Sequence, residues 1–94
     1  MDIHHDPTTQ RFFLPLPGGE AELRYQEHNG ILDILSTYTP PAARGMGVAA
    51  ALVEAAVRYA RERGDRVQPT CSYARQWFAR HPEAQELLAP TAPS

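Results

Sequence analysis

Apolar and polar positions alternate through the first part of this chain, and the spacing then lengthens to that of a helix. Arg11-Phe12-Phe13-Leu14-Pro15-Leu16 reads as a strand, which Pro15 confines to an edge or an end because proline cannot donate to a ladder. Pro17-Gly18-Gly19 signals a turn, and in the strand Glu20 to Gln26 that follows, Ala21, Leu23 and Tyr25 alternate with polar residues. Asn29-Gly30 marks a hairpin into a third strand, Ile31 to Tyr38, dense enough in apolar residues for the middle of a sheet. Ile3 to His5 can add an edge strand. From Gly47 to about Arg63, Val48, Leu52, Ala55, Ala56 and Tyr59 recur at helical spacing. Glu54, Arg58 and Glu62 on the other side can pair four residues apart, and Gly64 is a natural stop.

Arg66 to Pro69 then predicts a short strand returning parallel to the third, which makes a βαβ crossover. A second helix is expected from about Ser72, with Tyr73, Trp77 and Phe78 towards the core, until His81-Pro82-Glu83 breaks it and opens a last turn through Leu88. The predicted fold is therefore α/β (α+β): an antiparallel β-meander, a βαβ unit and C-terminal helices. Residues 1–88 form one domain in this reading, with 89–94 a flexible tail.

Composition narrows the functions open to such a domain. A chain of 94 residues has room for one core, burying roughly 60 to 70 per cent of its unfolded surface. No apolar run approaches a membrane span, and the N-terminus lacks the basic and apolar regions of a signal peptide, so a cytoplasmic protein is expected. Nine Arg and no Lys stand against eleven acidic residues, and the Arg are dispersed, which argues against a nucleic-acid groove. One Cys excludes an internal disulfide, no Cys/His cluster has metal spacing, and the adjacent His4 and His5 read as a solvated pair.

Against that background the segment Pro40 to Ala49 carries the most chemistry. Gly45 and Gly47 let the backbone turn tightly between strand and helix, and the first N–H groups of the helix have no partner within it. Such amides at the positive end of a helix dipole hold pyrophosphate, and Arg44 adds a charge beside them. Glycines in such a turn can also serve the turn alone.

A loop of this kind between a β-meander and a βαβ unit resembles the GNAT superfamily of acetyl-CoA-dependent acyltransferases. Their phosphate loop, Gln/Arg-x-x-Gly-x-Gly/Ala, is met here by Arg44, Gly47 and Ala49. The segments TYTPPAARGMG, VQPTCSY and RHPE narrow the resemblance to a short, single-domain GNAT-like family, over nearly the whole chain through Leu88. Thr37, Pro40, Pro69, Cys71, Ser72 and Tyr73 match its motifs, whereas Ser36 and Thr39 replace its usual His and Val, so no role of that His transfers to this chain. The resemblance implies that Arg44, Gly45, Met46, Gly47, Val48 and Ala49 hold the pyrophosphate of acetyl-CoA or CoA. It also implies that Ser36, Thr37 and Tyr38 bind the pantetheine arm through their backbone.

Cys71 is the second candidate for chemistry. It precedes a helix whose expected N-cap is Ser72, and a helix N-terminus favours thiolate, so Cys71 could take the acetyl group or contact the cofactor sulfur. The alternative is a small buried side chain. Longer GNAT enzymes carry a Tyr where this chain has Phe78, which has no proton to give, so that role is missing or has moved to Tyr73 or Cys71, with Tyr38 also near the expected cleft. For Tyr73 and Tyr38 a packed ring with a hydrogen-bonded tip is the favoured reading. His81 suits a cap, His28 a solvated turn, Arg75 and Arg80 a phosphate contact or a solvated face, and Glu20, Glu22 and Glu27 act as bases only if the cleft opens towards them.

The expected function is acetyl transfer from acetyl-CoA to an unidentified amine, directly or through Cys71. Its rivals are a non-catalytic CoA-binding module and a protein-interaction domain without cofactor. No nucleic-acid or membrane partner is expected, and the chain should be a monomer or a weak homodimer.

Overall fold

The computed structural model describes residues 1–90, and its sheet follows the chain: β1 (His4–Asp6), β2 (Arg11–Leu16), β3 (Gly19–His28), β4 (Ile31–Tyr38) and β5 (Arg66–Pro69) lie side by side in that order. β1 to β4 pair antiparallel, while β5 joins β4 in parallel through the crossover helix α1 (Val48–Arg63). Helix α2 (Ser72–Ala79) and a 3-10 turn (Pro82–Leu87) complete the chain. β4 is interior, as its apolar density predicts. Pro15 sits on the part of β2 that β1 does not reach, since β1 pairs only with Arg11 to Phe13. There the missing donor costs no ladder bond.

Alternation along the strands sends Phe12, Ala21, Leu23, Tyr25, Leu32, Ile34 and Val67 into the core, against Leu52, Val53, Ala56, Val57 and Ala60 of α1. Removing such side chains from water, at roughly 1.5–3 kcal/mol each, holds the helix on the sheet better than its weak surface pairing does. Arg58 bonds Glu54 at 3.1 Å on that surface. On the opposite face of the sheet Arg11 reaches Glu20 at 2.6 Å and Glu22 at 2.7 Å.

Gly64 ends α1 in the left-handed conformation, at φ 74°. Its N–H bonds Arg61 O and that of Asp65 bonds Ala60 O, closing the paired C-terminal bonds of a Schellman motif. This turn carries Asp65 into the interior, where one carboxylate oxygen has no partner among the described residues. The carboxyl group of Asp65 faces that of Glu27, which accepts from Tyr59 Oη and Arg63 Nε. Burial, then the contact with Glu27, raises Asp65 to about 6.

Four expectations need correction. His5 is not solvated: its ring stacks on Phe12 at 4.0 Å and Nε2 lies 2.6 Å from Tyr25 Oη, while His4 is exposed. Burial lowers the pKa of His5. The edge strand lies one residue later than Ile3 to His5. The N-cap of α2 is Cys71, with Ser72 the first helical residue. Ala89, the first residue of the expected tail, is buried and its N–H bonds Val67 O at 2.8 Å, whereas Thr91–Ser94 lie outside the described residues. Among the described residues no helix is long and apolar enough to cross a membrane.

Candidate functional site

The site grows from the place where β4 and β5 part. Their pairing ends at Ile34 and Pro69, while β4 runs on to Tyr38 beside β3 alone. Register places Arg24 opposite Ser36 but Tyr25 opposite Ile34, so Leu35 is an extra residue in β4, a bulge that bends the strand. From Leu35 to Tyr38 the side of β4 away from β3 therefore has no strand beside it. Cys71 closes the vertex: its N–H donates to Ile34 O at 2.9 Å.

β4 leads into Thr39, a buried Pro40 and one 3-10 turn at Pro41–Ala43, whose proline start suits a helical first position. Arg44 follows in an extended conformation, then Gly45 at φ 82° and Gly47 at φ 79°, both left-handed. A Cβ at either glycine would meet nothing within 4 Å, so it is the backbone angle that requires glycine there, and the face of the loop is open. Gly47 is the N-cap of α1, no side chain caps that terminus, and the first turn holds no acidic residue. The first N–H bonded within the helix is that of Ala51, to Gly47 O. Arg44 Nε donates to Thr39 O at 3.1 Å, which folds the guanidinium back over the loop.

These groups face a cleft of about 300 Å³ walled by Thr39, Ala43, Arg44, Gly45 and Gly47, with Val48, Ala49 and, from α2, Tyr73. Tyr73 is half-buried, packing on the core while presenting a wall to the cleft. Thr37 Oγ1 lies 3.7 Å from Cys71 Sγ, which brings the candidate nucleophile beside the candidate cofactor strand. Cys71 is half-buried rather than sealed in the core. The open amides, the two left-handed glycines and the partnerless strand edge fit the pyrophosphate and amide-bearing arm of CoA.

Other candidates lie elsewhere. Tyr38 is 51% exposed, which corrects the core reading, and Met46 is 66% exposed on the loop. Ser36 is exposed on the strand. Phe78 is buried among core residues and does not line the cleft. Glu20 and Glu22 are held by Arg11, and Glu27 by Tyr59 and Arg63, and none of the three lines the cleft. Arg75 donates to Thr70 O at 2.7 Å, and Arg80 lines a separate small cleft with Gln76 and His81. His81 is the expected cap in an unexpected sense: Nδ1 bonds Trp77 O at 2.6 Å, closing the C-terminus of α2, and its ring stacks on Trp77 at 3.9 Å.

Sequence reasoning missed Asp33, whose Oδ1 accepts from Thr70 Oγ1 at 2.6 Å across the last paired rungs of β4 and β5. The signal was available in the parallel register, which sets Asp33 against Gln68 and so within reach of Thr70.

Comparison with known proteins bears on the same elements. A solution structure of a GCN5-like protein from Staphylococcus aureus superposes with a TM-score of 0.71 at 20% identity, over 99% of this chain and 90% of that one. At that identity the likeness concerns the fold alone. A family model described as GCN5-related N-acetyl-transferase matches residues 11–87, which runs from β2 through the glycine loop and Cys71 to the last 3-10 turn. With so much of its length matched, the chain belongs to the GCN5-related N-acetyltransferase family, and acyl transfer is its chemistry.

Proposed function

We propose that this protein transfers an acetyl group from acetyl-CoA to an amine. The observation that carries the reading is the single cleft joining the uncapped start of α1, both left-handed glycines and Tyr73, next to the Thr37–Cys71 contact. Val48 and Ala49 amides, with Gly45, Gly47 and Arg44, would hold the pyrophosphate, and the free edge of Ser36 to Tyr38 would take the amide-bearing arm. Acetyl-CoA supplies an activated acyl carbon. The protein then has to place a deprotonated amine beside it and protonate the departing thiolate.

Phe78 brings no hydroxyl to the cleft, so the proton falls to Tyr73 or Cys71. In the direct route the amine nitrogen bonds to the acyl carbon and gives up a proton as the carbon–sulfur bond breaks. In the covalent route Cys71 Sγ loses its proton, takes the acetyl group with release of CoA thiol, and is regenerated when the amine accepts that group. Backbone N–H groups at the strand edge can polarise the acyl oxygen in both routes.

Two measurements test this. Acetyl-CoA should raise the melting temperature of the protein, and an unchanged melt would sink the reading. Incubation with acetyl-CoA followed by intact mass spectrometry reports the covalent route. The chain has no Lys, so peptide mapping of an added acetyl group has to separate Cys71 from Tyr73 and the N-terminal amine, and of these only the amide resists neutral hydroxylamine. A Cys71→Ala variant that keeps full turnover removes the covalent route. The buried Phe78 also favours a second reading, a CoA-binding module without catalysis. That reading predicts a thermal shift with no acetylated product in a broad amine panel.

A further inference from the structure

A cleft of about 630 Å³ lies by β1, at the opposite edge of the sheet from β5. The sheet extends past α1 there, leaving a groove with Ile3 and Phe12 on its floor and the small side chains of Ala51 and Ala55 on its helical wall. Its rim is acidic. Asp2, Glu54 and Glu62 line it against Arg58, which is paired with Glu54 at 3.1 Å, and the α-amino group of Met1. Asp2 and Glu62 form no ion pair among the described residues. His5 brings β1 to the groove, and among the described residues the outer edge of β1 has no strand beside it.

These features together point to one kind of occupant. We propose that the groove docks an extended basic peptide, added as a strand at the edge of β1, with Lys or Arg side chains reaching Asp2 and Glu62 and apolar residues on the floor between. A small cation held by aromatic faces fits less well. His5 already stacks on the Phe12 ring, and the Arg63 guanidinium lies 5.6 Å from the Tyr59 ring centre. A second copy of the chain also fits poorly, because two-fold pairing through β1 would set the acidic rim of one copy against that of the other.

The test uses the full chain and a fluorescein-labelled octapeptide Lys-Ser-Val-Ser-Lys-Ser-Val-Ser, which sets Lys and Val in turn on one face of a strand, with the same peptide carrying Asp for Lys as control. Fluorescence anisotropy should show binding of the Lys/Val peptide alone, weakening as salt is raised, and hydrogen exchange should slow at His4 to Asp6. The double variant Asp2→Arg/Glu62→Arg, checked for an unchanged melt, should bind roughly tenfold more weakly and acetylate a small amine as before. Equal binding by that variant, equal binding of the acidic control, protection at Arg44 to Ala49 instead of β1, or a sedimenting dimer with β1 already protected would each overturn the proposal. The anisotropy and exchange readouts do not depend on acetyl transfer, so they stand or fall separately from the proposed function.

Discussion

Replacing Asp65 by Asn removes one titrating proton from the interior while keeping the shape of the side chain and its place behind Gly64. In the folded protein this carboxyl titrates at about 6 instead of 3.8, because it is buried and faces Glu27. Between those values the native state holds a proton that the unfolded chain has released, so stability falls as pH rises through the window. At about 1.4 kcal/mol for each tenfold change in proton affinity, the full effect is roughly 3 kcal/mol. Glu27, whose pKa is lowered first by the protonated Asp65 carboxyl facing it and then by Arg63 and Tyr59, gains stability over part of the same range and returns some of it. Asp65→Asn should therefore match the parent near pH 4 and exceed it at pH 7.5 by about 1–3 kcal/mol. For a domain of this size that is a rise in melting temperature of roughly 5–15 °C. Thermal melts of both proteins from pH 4 to pH 8 supply the comparison. Taking their difference cancels His5, whose lowered pKa costs stability as pH falls below its ordinary range. A difference that stays constant across the series would refute the argument, because it would mean that Asp65 releases its proton at the same pH folded and unfolded.

Further expectations are simpler. Gly47→Ala and Gly64→Ala both force a side chain into a left-handed conformation and should each cost about 1 kcal/mol in denaturant unfolding. Only Gly47→Ala should also abolish the thermal shift with CoA, and equal loss in both would detach the loop from the cofactor. His81→Ala removes the bond to Trp77 O and the stacked ring, and should lower stability by roughly 1–2 kcal/mol without changing CoA affinity, as read by melting and by calorimetric titration.

How much of this was legible beforehand depended on the range of the interactions. β2, β4 and β5 fall on the residues that alternation and turn chemistry indicate, because side-chain period and glycine angles are local properties. The loop Arg44 to Ala49 was legible for the same reason. That Cys71 meets Thr37 was not, since it depends on where β4 and β5 cease to pair, and only the family resemblance put the two regions together. His5 and Asp65 were misread or overlooked because their partners, Tyr25 and Glu27, are distant in the chain and their burial follows from packing. The α2 cap differs by one residue because Cys71, two residues beyond the end of β5, keeps extended angles and Ser72 is already helical, and neither propensity nor spacing separates the two.

The order of the sheet has a consequence for how the molecule assembles. Every strand neighbour up to β4 is also a neighbour in sequence, so the meander closes through short loops, whereas β5 must return across the whole of α1 to find Ile31 to Ile34. Loop closure makes that parallel join the slow one. Thr37 belongs to the early half and Cys71 to the late half, so their contact at the proposed acetyl-transfer site forms only when the last seam zips. Partial opening of that seam would undo the proposed site while most of the hydrogen-bonded sheet persisted, and exchange at Arg66 to Cys71 should report it before exchange in β2 and β3 does.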